Sequence, residues 1–157
     1  MKGDADVINV LNEVLTAELT AINQYFIHAE MCENWRYMRL AKHSRAESIE
    51  EMKHAEELIE RVLYLDGVPN MQRYMKINVG QTVHEQHQFD LSLEKDAVAR
   101  FNRGIDICRA KGDNGTRLIL EEMLRNEEDH VDWLESQLHQ IQEIGLGGYL
   151  AQQINVD

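Results

Sequence analysis

Glu51-Met52-Lys53-His54 lies midway along an amphipathic stretch that runs from about Tyr37 to Leu65. On a helix, residues three apart point to nearly the same side, so Glu51 and His54 can hold one cation together. Met52 is turned roughly 100° from Glu51 and cannot share that site. A second Glu-x-x-His, Glu127-Glu128-Asp129-His130, recurs further down the chain with amphipathic flanks of its own. Two such pairs, each presenting an acid and an imidazole from a helical face, form a metal-site pattern.

Around these two pairs the apolar residues keep helical spacing. A first helix is expected from about Asp6 to Asn34, with Leu11, Val14, Leu15, Ala21, Ile22, Tyr25 and Ala29 on one stripe. Asn34-Trp35 interrupts, the second helix follows, and Asp66-Gly67-Val68-Pro69-Asn70 stops it. Thr82-Val83-His84-Glu85 has the capping-box spacing and opens a third helix to about Lys111. Gly112-Asp113-Asn114-Gly115 is a tight turn before a fourth helix, about Thr116 to Ile144. Gly145, Gly147 and Gly148 lead into a short apolar tail. The expectation is therefore an all-α four-helix bundle over about 6–144, with a short fifth helix over about 146–154, as one domain.

Short connections set helices one and two, and three and four, antiparallel. The link near residues 66–81 is longer, and 16 residues at about 3.3 Å each can span about 50 Å. A helix of 28 residues is about 42 Å long. The crossover can run the length of the bundle and place helices two and three parallel. The halves also repeat: Glu18 to Glu94, Glu51 to Glu127 and His54 to His130 share an offset of 76 residues. Leu15 and Leu91, Tyr25 and Phe101, and Cys32 and Cys108 share it too. A pseudo-twofold bundle of two helical hairpins follows.

Composition agrees. Among 157 residues, 28% are charged and 43% hydrophobic, with a single Pro and no flexible linker, which suits one globular helical domain. A formal charge of −12 argues against a nucleic-acid partner, because phosphate neutralisation needs a basic face. The opening Met1-Lys2-Gly3-Asp4-Ala5-Asp6 lacks a signal peptide's apolar run, and no stretch approaches a membrane span. Two cysteines make no disulfide framework, so cytoplasmic residence is expected.

Glu18, Glu51, Glu94 and Glu127 all fall on the apolar stripes of their helices. A carboxylate buried alone costs several kcal/mol, so four in one core need compensating cations. Two divalent metals nearly balance four carboxylates, and His54 and His130 each complete one metal. Carboxylate and imidazole together suit iron or manganese, with zinc a competitor. Tyr25, two turns beyond Glu18, fits either electron donation to a redox metal or core packing. Asp90, one turn before Glu94, is a candidate to orient a ligand, and Glu47 to stand at the entrance. His28, His43, His84, His87 and His139 read as surface or helix-end residues, and Cys32 and Cys108 as small core residues near one end.

Met52 belongs to a different face of helix two, with Arg45, Ile49, Glu56, Ile59 and Leu63. Leu19 and Phe26 likewise lie off the Glu18 stripe of helix one, with Asn23 beside them. A monomeric bundle cannot bury two faces of the same helices, so a partner subunit is the expected cover. In a twofold interface Met52 approaches its symmetry mate, either as plain packing or as a thioether ligand.

The chain resembles the bacterioferritins along essentially its whole length. The likeness is carried by Met1-Lys2-Gly3-Asp4, by Glu18-Leu19-Thr20-Ala21-Ile22-Asn23-Gln24-Tyr25-Phe26, and by Glu47-Ser48-Ile49-Glu50-Glu51-Met52-Lys53-His54-Ala55. Asp66-Gly67-Val68-Pro69-Asn70, Glu127-Glu128-Asp129-His130-Val131-Asp132-Trp133-Leu134-Glu135 and Ile144-Gly145-Leu146 match as well. The six acids and imidazoles are the known ligand set of ferritin-like di-iron and di-manganese bundles. The resemblance implies a ferroxidase centre of Glu18, Glu51, His54, Glu94, Glu127 and His130, with Glu51 and Glu127 bridging. It implies a hollow shell of 24 subunits that oxidises Fe(II) with dioxygen or peroxide and stores ferric mineral. It further implies haem b between twofold-related subunits on Met52 of each, iron release driven by a small ferredoxin, and a C-terminal tail lining fourfold channels. Some bacterioferritins carry a His and an Asp as an extra iron site on the inner surface; the corresponding positions here are Ala46 and Glu50. Arg45 is a candidate contact for a haem propionate. The competing readings are a ferritin-like di-metal oxidase or peroxidase that stores nothing, and a haem-binding assembly whose metal site is structural.

Overall fold

Asp4, Thr82 and Asp113 fix where three of the four helices begin. Each side chain accepts a hydrogen bond from a first-turn amide, at Asp6, Glu85 and Thr116, over 2.8, 3.1 and 3.0 Å. In the computed structural model, which describes residues 1–156, the helices are α1 (Ala5–Asn34), α2 (Met38–Tyr64), α3 (Val83–Ala110) and α4 (Asn114–Ala151). No strand occurs among the described residues, and none of their helices is long and apolar enough to cross a membrane. The all-α four-helix bundle is as expected. The second half of the capping box differs, because the Glu85 carboxylate accepts from Gln81 N–H rather than from Thr82.

The last helical span, which includes the stretch where the short fifth helix is expected, is not continuous. Helical structure continues to Ala151, interrupted only where Gly145 adopts φ 80, ψ 156, a conformation that favours glycine. The chain bends there and comes back onto the bundle. Tyr149 is fully buried and donates from its hydroxyl to Gln137 Oε1 at 2.6 Å, and Arg39 N–H donates to Gln153 O at 3.0 Å.

Helix directions follow from cross-chain bonds. Gly3 N–H donates to Leu65 O at 2.9 Å, so α1 starts where α2 ends. Arg61, late in α2, reaches Asp113 and Thr116 at the start of α4. Tyr25 bonds Glu94, and Arg103 pairs with Glu13, so α1 and α3 also run antiparallel. Helices α2 and α3, both antiparallel to α1, are parallel to each other, as the long crossover requires.

The crossover is held by one polar ridge of α1. Asn12, Thr20, Gln24 and His28 accept hydrogen bonds from the amides of Asn70, Met75, Asn78 and Gly80, at 2.8, 2.9, 3.2 and 2.9 Å. An extended segment with no sheet partner needs such acceptors for its backbone N–H groups. Gly80 also lies so close to α3 that an added Cβ would stand 2.4 Å from Gln86 N.

Two hydrophobic clusters fill the interior. The larger contains Leu11, Leu15, Leu58, Phe101, Leu120 and Met123; the smaller contains Cys32, Leu40, Val83, Ile141 and Tyr149. On every helix the expected acid positions fall between them. The two cysteines are both buried but occupy different clusters, contrary to the expectation of one shared end. Because α1 and α3 are antiparallel, repeat-related residues meet only near the pseudo-twofold axis and separate towards the helix ends.

Gly80→Ala places a side chain against backbone that cannot yield. Chemical denaturation of the metal-free protein is expected to show a loss of about 1–3 kcal/mol, the usual cost of overpacking.

Candidate metal centre

Six side chains from all four helices meet in the layer between the two apolar clusters. Glu18 comes from α1, Glu51 and His54 from α2, Glu94 from α3, and Glu127 and His130 from α4. All six are buried, and none exceeds 6% exposure, so water does not screen them. They form two overlapping groups, Glu18-Glu51-His54-Glu127 and Glu51-Glu94-Glu127-His130, each with ligand atoms within 4.8 Å of one another.

The overlap is resolved atom by atom. Nδ1 of His54 lies 3.5 Å from Glu51 Oε2 and 3.3 Å from Glu127 Oε1. Nδ1 of His130 lies 3.3 Å from Glu51 Oε1 and 3.5 Å from Glu127 Oε2. Each central carboxylate thus turns one oxygen to either histidine, as a bridge between two cations requires. Glu18 closes the His54 side at 3.8 Å and Glu94 the His130 side at 3.4 Å.

Glu18 Oε2, both oxygens of Glu51 and Glu127, and Nδ1 of both histidines are buried without a hydrogen-bond partner. Buried polar atoms are normally satisfied. Orphaned acceptors converging from four helices fit cations of the carboxylate-and-imidazole class.

Without cations, protons take their place. Burial works against the charge on His54, but Glu127 and Glu51 outweigh it and raise its pKa to about 10. Burial likewise opposes the charge on His130, and Glu127, Glu47, Glu51 and Glu94 raise it well above the ordinary range. Desolvation, followed by the neighbouring Glu127 charge, drives Glu94 well upward.

Of the remaining sequence candidates, Tyr25 is buried and donates its hydroxyl to Glu94. Burial and then the charges of Glu94 and Asp90 raise its pKa, so the phenol keeps its proton. The Asp90 carboxylate accepts from Gln24 Nε2 and His28 Nδ1, each at 2.9 Å, and so backs the crossover ridge rather than a ligand. Glu47 is buried against His130.

His28 and His87 are not surface residues. His28 is fully enclosed because Asp90 and Gly80 N–H satisfy both ring nitrogens. His87 packs edge-on to Trp133 and faces the Tyr149 hydroxyl at 3.0 Å, and burial depresses its pKa to about 3, keeping it neutral. His43 stacks on Trp133 with ring centroids 3.5 Å apart. Asn126, which spacing did not single out, lies 3.2 Å from His54 Nε2. The contact runs through the Asn126 amide nitrogen, Nδ2, which donates to the ring and helps orient it.

A cavity of about 210 Å³ leads to Glu18, Glu51, Glu94 and Glu127 beneath the crossover residues Met75, Lys76 and Asn78. Met52 stands apart. It is 54% exposed, beside an apolar groove that includes Ile22, Ala55, Ile59 and Met71. Phe26, Ile49 and Leu63 are also exposed, and Leu19 lines the groove with Met52 while its side chain belongs to the larger core cluster. Arg45 is engaged by Glu30 and Glu33.

The family model for the ferritin-like domain matches residues 8–144. The chain is 49% identical to a bacterioferritin of Mycobacterium bovis over 152 residues, covering 97% of this chain and 96% of that protein. It is 50% identical to a Streptomyces coelicolor bacterioferritin over 151 residues, covering 96% of this chain and 90% of that protein. A Brucella melitensis bacterioferritin is 43% identical over 145 residues, covering 92% and 90%.

Cations that enter this layer must displace its protons. Zinc uptake followed by calorimetry in buffers of different ionisation enthalpy is expected to reveal proton release, with affinity falling as pH falls. Metal-free stability has the opposite dependence. The His54 contribution is complete below its ordinary 6.5 and is lost as pH rises through about 10. Buffer-independent zinc enthalpies would contradict this assignment.

Proposed function

The chain belongs to the bacterioferritins of the ferritin-like family, and from that premise we propose that it is an iron-storage ferroxidase. The observation that carries the reading is the pair of fused ligand groups sharing Glu51 and Glu127, with their buried atoms left unsatisfied. Fe(II) is the substrate. Glu18 and His54 bind one ion, Glu94 and His130 the other, and Glu51 and Glu127 hold the two within reach of one dioxygen or peroxide molecule. The proton-loaded histidines and Glu94 give up protons as Fe(II) enters. Tyr25 keeps Glu94 in place through its hydroxyl and stands close enough to donate an electron.

Ferric product passes to a mineral enclosed by a homo-oligomeric shell of 24 subunits in the cytoplasm. The exposed apolar stripe of Phe26, Ile49, Met52 and Leu63 supports a twofold partner on that face, since a lone subunit would leave it in water. The same stripe fits haem b, because the half-exposed Met52 thioether would supply a soft sulfur ligand and the apolar groove beside it would cover the ring. Bound there, haem supplies a one-electron relay between a small ferredoxin and the mineral. Arg45, held by Glu30 and Glu33, would need to leave that pairing to reach a propionate. The tail beyond Gly145 lines the fourfold channels.

Rapid mixing of the metal-free protein with Fe(II) and oxygen is expected to give a fast phase saturating at two Fe(II) per subunit. Glu18→Ala and His130→Ala should each abolish it; undiminished fast oxidation in both variants sinks the mechanism. Reconstitution should load one haem per two subunits with a low-spin spectrum. Met52→Leu should remove that haem without dispersing the assembly, as read by sedimentation.

A further inference from the structure

The cavity that reaches Glu18, Glu51, Glu94 and Glu127 carries a soft nucleophile on its wall, the thioether of Met75. The crossover holds this residue in place, because its N–H donates to the buried Thr20 hydroxyl at 2.9 Å. Sδ stands 3.8 Å from Arg100 Nη2, and Arg100 lines the same cavity. That guanidinium is thinly partnered, since its Nε lies 3.8 Å from Glu13 Oε1, an oxygen that Arg103 already holds. Met75 is 37% exposed and belongs to neither hydrophobic cluster, so core packing does not account for the thioether.

We propose that Met75 is a peroxide-consuming residue on the route to the metal centre, oxidised to its sulfoxide by hydrogen peroxide that the centre releases. The proposal rests on reading that centre as a ferroxidase, where two Fe(II) reduce one dioxygen, with two protons, to hydrogen peroxide. A lone pair of Sδ attacks one peroxide oxygen, the O–O bond breaks, and an S–O bond forms. The departing hydroxide takes the proton carried by the transferred oxygen and leaves as water. Sulfur loses two electrons and peroxide gains them. Arg100 Nη2 is placed to donate a hydrogen bond to the departing oxygen, on which negative charge develops. The sulfoxide oxygen then accepts from the same guanidinium, and reduction by an enzyme of the methionine sulfoxide reductase class returns the thioether.

Confinement, not exposure, selects this residue. In free solution oxidation follows access, and Met1 and Met71 are 65% and 46% exposed. One peroxide molecule within about 210 Å³ is a local concentration on the order of 8 M. Peroxide added to the solution reaches Met75 with no such advantage.

Peptide mass spectrometry of the full-length protein, after turnover of two Fe(II) per subunit in oxygen with catalase present, tests this. The expected result is sulfoxide at Met75 several-fold above that at Met1 and Met71. With hydrogen peroxide added to the metal-free protein instead, Met1 and Met71 should oxidise at least as fast as Met75. Glu18→Ala, with its centre broken, should lose the Met75 excess during turnover, and Arg100→Gln should reduce it. A fast iron phase with Met75 oxidised no more than Met1 and Met71 overturns the proposal but spares the proposed function. Absence of the fast iron phase overturns that function first, and the peroxide source with it. An equal Met75 excess in Glu18→Ala marks intrinsic reactivity rather than delivery from the centre, and overturns the proposal as well.

Discussion

Four carboxylates held in a dry layer repel one another, and the bundle is compatible with them only if positive charge sits between them. Two unit charges about 4 Å apart interact by about 4 kcal/mol at an effective dielectric constant near 20. Among Glu18, Glu51, Glu94 and Glu127 several such terms add, against a net stability of about 5–15 kcal/mol for an ordinary domain. Protons on His54, His130 and Glu94 offset part of this in the metal-free protein. Two divalent cations offset all four charges and also satisfy the orphaned atoms. Folding and cation binding are thus linked through the same side chains.

The clusters on either side explain why the layer stays ordered. Leu15, Leu58, Phe101 and Met123 lie towards one end, and Cys32, Leu40, Val83 and Ile141 towards the other. Each helix threads both clusters and is pinned above and below its acid. The antiparallel repeat then gives the site its symmetry. Glu18 and Glu94 lie near the middles of α1 and α3, where repeat-related residues approach; Cys32 and Cys108 lie near the ends, where they diverge.

The crossover is tied to this layer by a physical chain. Gln24 and His28 bind its amides on one side and Asp90 on the other, while Asp90 stands one turn from Glu94. Its residues Met75, Lys76 and Asn78 roof the cavity that reaches the acids. A segment of extended backbone, needed topologically to join parallel helices, thereby also bounds access to the chemistry.

Helix number, the long crossover, the ends of α1 to α3 to within a residue or two, and the six inward acids and imidazoles were all legible in the chain. Helical periodicity is local, and a buried acid breaks an apolar stripe visibly. The 76-residue offset added the pairing of halves. Tertiary structure decided what depends on residues far apart in sequence: that Asp90 serves the crossover, that His28 and His87 are enclosed, and that the tail beyond Gly145 packs back on the bundle through Tyr149. It also brought Glu47 and Glu50 of α2 against His130 of α4 and Asn126 against His54. Spacing along one helix fixes which way a side chain points. Only the packing of that helix against another fixes what it meets there.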